Sequence, residues 1–159
     1  MSINYISPSA QIGEDTKVWH FAVILNDVII GKSCSIGSNT EIGRGSTIGE
    51  GSRISHGVFL PAHSKIGKEV FIGPGVIFTD DRFPRVNNPE YDAQPPIVED
   101  YAAIGAGAVI LPGIRIKRYA IVGAGAVITE DVPESTIIRG EPSRYSRMLS
   151  CPEQEPTPV

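Results

Sequence analysis

Two carboxylates stand side by side at Asp80 and Asp81, followed by Arg82, Arg85 and Tyr91. Like charges this close resist joint ionisation, so one of the pair is a candidate for a displaced pKa. A carboxylate within hydrogen-bond reach can also hold an ammonium and take a proton from it. The planar guanidiniums of Arg82 and Arg85 suit phosphate groups. Tyr91 offers a ring to stack on a base or a sugar. The plainer reading is that one Asp closes an Asx-type turn and the arginines are solvated loop charges.

The elements that must position these residues follow from a repeat. Large apolar residues recur every six positions from Ile6 to Phe78, and again from Val98 to Ile128. Gly often follows each one, as at Gly13, Gly43 and Gly73, and a small or β-branched residue stands four positions on. A helical face recurs near 3.6, so a period of six excludes helices. It fits short strands joined by tight corners. Residues at +4 and +6 of each hexad point inward and the residue between them points out. The Gly at +1 serves a corner that needs positive φ or close backbone approach. Three strands close a triangular coil of 18 residues. The hexads give about six coils, roughly 30 Å tall at ~4.8 Å per coil. Cys34 occupies a small inward position.

Between Phe78 and Val98 the rhythm fails. The segment "TDDRFPRVNNPEYDAQPPI" carries four prolines and a mix of charged and aromatic residues. A structureless stretch this long inside a compact domain is usually functional or disordered, and the composition favours function. The domain plan is a repeat domain over 1–132 with an inserted loop at 79–97. A cap follows at 133–150, with a short strand, a turn at Gly140–Pro142 and a helical turn around Arg144–Leu149. A flexible tail covers 151–159.

His20 and His56 lie 36 residues apart, two coils, at the same hexad position. They share a corner column about 10 Å apart, too far for one metal within a subunit. His63 follows His56 by seven. No metal site is expected from this spacing.

The bulk composition narrows the class. The chain has 159 residues, 41% hydrophobic, with a net charge of −4 and only 14 Lys and Arg. No basic block suggests a nucleic-acid partner. Two cysteines give no disulfide framework. No basic stretch leads an apolar run at the start, and no segment approaches 18 apolar residues. A cytoplasmic setting without a membrane partner is expected.

The hexad repeat resembles the hexapeptide-repeat, left-handed parallel β-helix family, an all-β fold. Handedness comes from that resemblance, since the general crossover rule favours right-handed connections. Members are mostly acyltransferases using acetyl-CoA or another acyl-CoA. They are usually homotrimers with an active site in each cleft between subunits. A minority resemble γ-class carbonic anhydrases, whose last two histidines have a spacing absent here. A few are binding or structural modules.

A sharper resemblance runs through "VWHFAVI" (18–24), "FTDDRFPR" (78–85), "IVEDYAAIGAGAVILPGIRI" (97–116), "AIVGAGAVITEDVP" (120–133) and "RGEPSR" (139–144). These segments are similar, in order, to enzymes that N-acetylate 3-amino sugars carried on UDP or dTDP for cell-surface glycans such as lipopolysaccharide. The resemblance implies that Asp81, with Asp80 second, binds or deprotonates the amine, and that Arg82 and Arg85 meet the nucleotide pyrophosphate. His56 lines the acceptor cleft or acts as a base. Acetyl-CoA lies along Gly105, Ala106, Gly123 and Ala124, with Lys117, Arg118, Arg139 and Arg144 near its phosphates. The chain departs from this branch at Asp80, where the branch typically has Asn, and at Glu141 and Ser143 within the "GEPS" turn. The alternatives are an O-acetyltransferase of a sugar or small molecule, a metal-dependent carbonic anhydrase-like protein, and a non-catalytic scaffold.

Overall fold

The computed structural model describes residues 3–140, and 144–148 as backbone. Residues 141–143, the side chain of Arg144 and the expected tail at 151–159 lie outside the described residues. The described chain is built of short strands joined by tight turns, with no helix. All pairings except the last are parallel, and they form three sheets. The strands visit the sheets in strict rotation, so the molecule is an all-β parallel β-helix of triangular section, consistent with the left-handed family fold. We call the sheets faces A, B and C. Face A begins with Tyr5–Ile6, face B with Gln11–Ile12 and face C with Lys17–Val18. The three edges are then the AB, BC and CA corners.

The inward aliphatics form continuous columns. Ile24, Ile42, Leu60, Phe78, Ile110 and Ile128 are fully buried behind face A. Each such burial contributes about 1.5–3 kcal/mol. The small inward residues at +4 carry a second duty where they are polar. The Ser52 hydroxyl donates to Gly67 O at 2.8 Å and accepts from Val70 N–H at 3.0 Å. Thr16 does the same for Gly31 O and Cys34 N–H. A buried hydroxyl so placed satisfies two backbone groups that the corner would otherwise orphan. Cys34 is buried as expected, with its Sγ at 3.2 Å from Gly49 O. Burial raises the Cys34 thiol pKa.

The corners separate the two demands that the sequence leaves joined in one glycine. The +1 glycines are there for close approach. A Cβ on Gly43 would strike the backbone of Pro61 and Ala62 in the next coil. Positive φ falls instead at +3, on Asp15, Asp27, Asn39, Gly57 and their counterparts. Short polar residues and Gly tolerate that region best.

The insertion leaves the rotation intact. Ile77–Phe78 lies on face A, and the next strand, Ile97–Val98, takes its ordinary place on face B beside Lys65–Ile66. The extra residues therefore leave the prism at one AB corner. The stack also continues further than the hexad count suggests. Val132 bridges to Ile116 on face B, and Thr136–Arg139 pairs in parallel with Ile121–Val122 on face C. Together with Val127–Ile128 these complete a seventh coil, so the cap begins inside the helix. Arg144–Met148 is an antiparallel strand on Thr136–Arg139 where a helical turn is expected. It covers the edge that the last coil would leave open.

The corner geometry sets a stability contrast. Gly43→Ala must displace backbone, and a loss of about 1–3 kcal/mol is expected from urea denaturation midpoints. Gly57→Asn has nothing within 4 Å of its Cβ and follows Asn39 in the same column. Its midpoint should stay within about 0.5 kcal/mol of the parent.

Candidate functional site

The expected site residues fall on three different corners. Asp80, Asp81, Arg82, Arg85 and Tyr91 leave the AB corner in the insertion. Lys117 and Arg118 sit at the BC corner. His56, Gly105, Ala106, Gly123 and Ala124 stack along the CA corner, and Arg139 lies beside Gly123 at its C-terminal end. No single subunit brings the loop and the CA corner together.

The loop is tied at both ends and shaped by its own side chains. Thr79 N–H donates to Ile110 O at 3.0 Å, Gln94 N–H to Asp80 O at 2.8 Å and Gly113 N–H to Gln94 O at 2.8 Å. Asp81 Oδ1 accepts from Phe83 N–H at 2.9 Å, the Asx-type turn anticipated for one of the pair. Asp80 Oδ2 accepts from Tyr91 OH at 2.9 Å. That bond to a carboxylate holds the Tyr91 phenol above its usual pKa. Tyr91 is thus a loop strut as well as an exposed ring. Arg85 pairs with Glu90 at 2.8 Å and donates from Nε to Asn88 at 3.1 Å, so its guanidinium is largely committed within the loop. Arg82 is exposed. It shares with Asp81, Phe83 and Asp92 a shallow groove of about 370 Å³.

The CA corner has almost no side chains in its C-terminal coils. A Cβ on Gly73 would lie 2.6 Å from Ala106 N, and one on Gly105 would strike Ala124. The backbone here is a smooth, stacked column. His56 stands at its N-terminal end. Its Nδ1 accepts from Ser38 N–H at 3.0 Å in the coil before. A neutral ring that accepts at Nδ1 carries its proton on Nε2. His56 is therefore set as a donor toward the open side. It lines a groove of about 570 Å³ with Trp19, Ser35, Arg53, Phe71 and Pro74. His20 sits two coils earlier in the same column, as the spacing predicts. Among the described residues no three metal-ligating side chains converge.

At the BC corner Arg118 has another task. Its guanidinium lies over Tyr101 and Tyr119, 5.9 Å and 5.5 Å from their ring centroids. The two rings stack at 5.0 Å. This is a cation–π cap, remote from the Gly–Ala column.

Arg53 and Phe71 lie in none of the quoted motifs, and Trp19 only within the "VWHFAVI" segment, although for the first two a signal was present. Lys17, Ser35, Arg53 and Phe71 are spaced by 18 residues, one full coil, and so share the outer side of face C.

Comparison with known proteins places this geometry. The bacterial transferase hexapeptide (six repeats) pattern matches residues 9–44 and 95–130, and the hexapeptide repeat of succinyl-transferase matches 27–62. A 2,3,4,5-tetrahydropyridine-2,6-dicarboxylate N-acetyltransferase of Staphylococcus aureus is 36% identical over 84 residues. That match covers 53% of this chain and only about a third, 33%, of the relative. Among solved structures, a variant of perosamine N-acetyltransferase from Caulobacter crescentus, in complex with CoA and GDP-perosamine, superposes with a TM-score of 0.55 at 22% identity. It covers 92% of this chain and 57% of that one. A variant of AntD, an N-acyltransferase from Bacillus cereus in complex with dTDP-4-amino-4,6-dideoxyglucose and coenzyme A, gives 0.52 at 20% identity, covering 94% and 85%. At these identities the structural likeness establishes the fold.

The Asp80–Tyr91 bond has a measurable signature. A raised phenol pKa means that the folded loop holds the proton more tightly than the unfolded chain does. Its contribution is intact below about pH 10, the ordinary phenol value, and is lost as pH rises through the folded pKa. Absorbance titration, taken as the difference from Tyr91→Phe, should show ionisation above the ordinary range. Asp80→Asn should return it toward that range.

Proposed function

The chain belongs to the bacterial transferase hexapeptide-repeat family, and on that premise we propose that it moves an acetyl group from acetyl-CoA to the amino group of a nucleotide-linked 3-amino sugar. The observation that carries the reading is the character of face A and of its two edges. Its outward side shows Tyr5, Val23, Phe59, Ile77, Val109 and Val127, with Glu41 the one charge. Phe59 is 39% exposed and Ile77 45%. A largely apolar face of this kind marks an interaction surface. Three copies with face A turned to a threefold axis would set the AB edge of each against the CA edge of the next. That assembly unites the Asp80–Tyr91 loop of one subunit with the His56 and Gly–Ala column of its neighbour. Lys117 and Arg118 would then point away from the site.

The chemistry follows from the parts so joined. Acetyl-CoA lies along the Gly105–Ala106 and Gly123–Ala124 steps, where exposed backbone meets the pantetheine arm. Arg139 is the basic residue placed to meet its phosphates. The ammonium of the acceptor is held by Asp80 and Asp81 and loses one proton to a carboxylate. The free amine attacks the thioester carbon. His56 Nε2–H donates to the carbonyl oxygen as negative charge builds there. The C–S bond breaks, and the CoA thiolate takes up the proton released from the nitrogen.

Two neighbours of the same fold support the coarser class, an amino sugar on a nucleotide, since they are complexes of CoA with GDP-perosamine and with a dTDP-linked 4-amino sugar; the 3-amino position rests on the resemblance of the sequence segments. The relative acting on a tetrahydropyridine dicarboxylate favours a second reading, in which the acceptor is a small dicarboxylate. A hydroxyl acceptor fits less well. It demands a strong base, and the hydrogen bond from Ser38 leaves His56 without a free acceptor nitrogen.

The test is acetyl transfer to UDP- and dTDP-linked 3-amino sugars, with the tetrahydropyridine dicarboxylate assayed in parallel. Transfer to a sugar nucleotide is expected, and Asp81→Asn should lower kcat/KM by about 10²–10⁴-fold. Transfer to the dicarboxylate alone would replace the substrate. The shared site is checked by mixing Asp81→Asn with His56→Ala, both nearly inactive. Reassembled as equal mixtures, about a quarter of sites should regain both intact halves. No recovery would refute the inter-subunit site.

A further inference from the structure

The groove beside His56 carries an assignment of its own. We infer that Trp19 at the CA corner and Arg53 on face C form the subsite for the nucleoside diphosphate of the acceptor, in place of the loop arginines. This rests on the substrate class proposed above.

Charge is the first argument. The chain has 18 Asp and Glu and a net charge of −4. Yet through the first six coils no carboxylate lies on face C or at the CA corner. Acidic residues crowd the BC corner, at Glu14, Glu50, Glu69 and Glu99, and the inserted loop. Arg53 stands exposed on the face from which carboxylates are missing, with no ion-pair partner among the described residues. Arg85 is already held by Glu90 and Asn88. A diphosphate arriving at this molecule therefore finds a free guanidinium away from carboxylates in the groove, whereas in the loop Arg85 is occupied and Arg82 shares its groove with Asp81, Glu90 and Asp92.

Shape is the second argument. Trp19 is 49% exposed, and its Nε1–H donates to Ser35 Oγ at 3.3 Å. An indole pinned by its polar edge presents a fixed apolar face, which suits a stacked base. Trp19 and Arg53 are two coils apart, about 10 Å at the coil spacing. That is the order of the span from a stacked base across a ribose to its phosphates. His56 and Pro74 follow in the third and fourth coils, then Ala106 and Ala124 in the fifth and sixth. The two substrates would lie end to end along one corner. The base would be at Trp19, the diphosphate at Arg53 and the amino sugar at His56. The thioester would arrive from the Gly–Ala column.

The chain has a single Trp, so emission from Trp19 reports the groove directly. The experiment titrates the full-length protein, presaturated with CoA, with dTDP and with UDP, following Trp19 emission and heat. The expected result is a saturable emission change, displaced by inorganic pyrophosphate. Arg53→Ala and Trp19→Ala should each raise the calorimetric Kd at least about tenfold. Arg53→Lys, which keeps the charge and loses the planar fork, should fall between. These side chains point outward, and unchanged melting temperatures check that the variants fold. Nucleotide binding that leaves emission unchanged, ignores Arg53→Ala and fails with Arg82→Ala would return the diphosphate to the loop. It would overturn this inference alone. An emission change on adding CoA, with loss of dTDP binding, would give the groove to CoA and also overturn it. If neither nucleotide binds while acetyl transfer to another amine proceeds, the substrate class of the preceding section fails as well.

Discussion

Each coil meets the next through bare backbone at its corners, and the rest of the molecule depends on that contact. At Gly43 or Gly105 a single added carbon would collide with the main chain of the following coil. The closeness lets the strands hydrogen-bond face by face, and it stacks Ile24, Ile42, Leu60, Phe78, Ile110 and Ile128 into one unbroken column. It also explains the buried hydroxyls. A corner this tight strands a carbonyl and the next N–H, and Thr16, Ser46 and Ser52 recover them.

The same contact restricts where chemistry can sit. A smooth corner can receive a flat or slender ligand but offers it few side chains. Functional groups must come from outward columns, such as Ser35 and Arg53, or from chain that leaves the prism. The insertion departs directly after Phe78, and the rotation of strands resumes beyond it without a shift of face. The cost to the fold is confined to one corner. In exchange, two carboxylates, two arginines and a tyrosine are displayed beside an apolar face.

The three corners differ sharply in character. The BC corner is a laced surface, with Lys32, Glu50 and Lys68 in a ladder and Arg118 lying over two stacked tyrosines. Exposed pairs of that kind contribute little to stability. The AB corner carries the polar loop. The CA corner is free of carboxylates through the first six coils and nearly bare of side chains beyond Pro74, with His56 oriented by the backbone of the coil before it. The proposed transfer draws on the last two of these environments together, and the proposed assembly of copies about face A would join them.

The sequence by itself determined the coil. A six-residue beat of aliphatics admits one strand geometry, and columns 18 or 36 residues apart follow from counting, as His20 and His56 illustrate. It also marked the insertion, because a break in so regular a rhythm is visible without coordinates. The tertiary structure decided matters that are local to corners. Positive φ fell at +3, because the +1 glycine answers to the neighbouring coil and not to its own turn. A seventh coil formed from Val132 and Thr136–Arg139, whose spacing departs from the hexad but whose edges could still pair. Arg144–Met148 became a strand because an open sheet edge lay beside it. Residue type could nominate Lys117 and Arg118 as phosphate ligands, but only the rotation of the chain shows which edge each one occupies. The proton of His56 was likewise settled by Ser38, 18 residues away in sequence and one coil away in space.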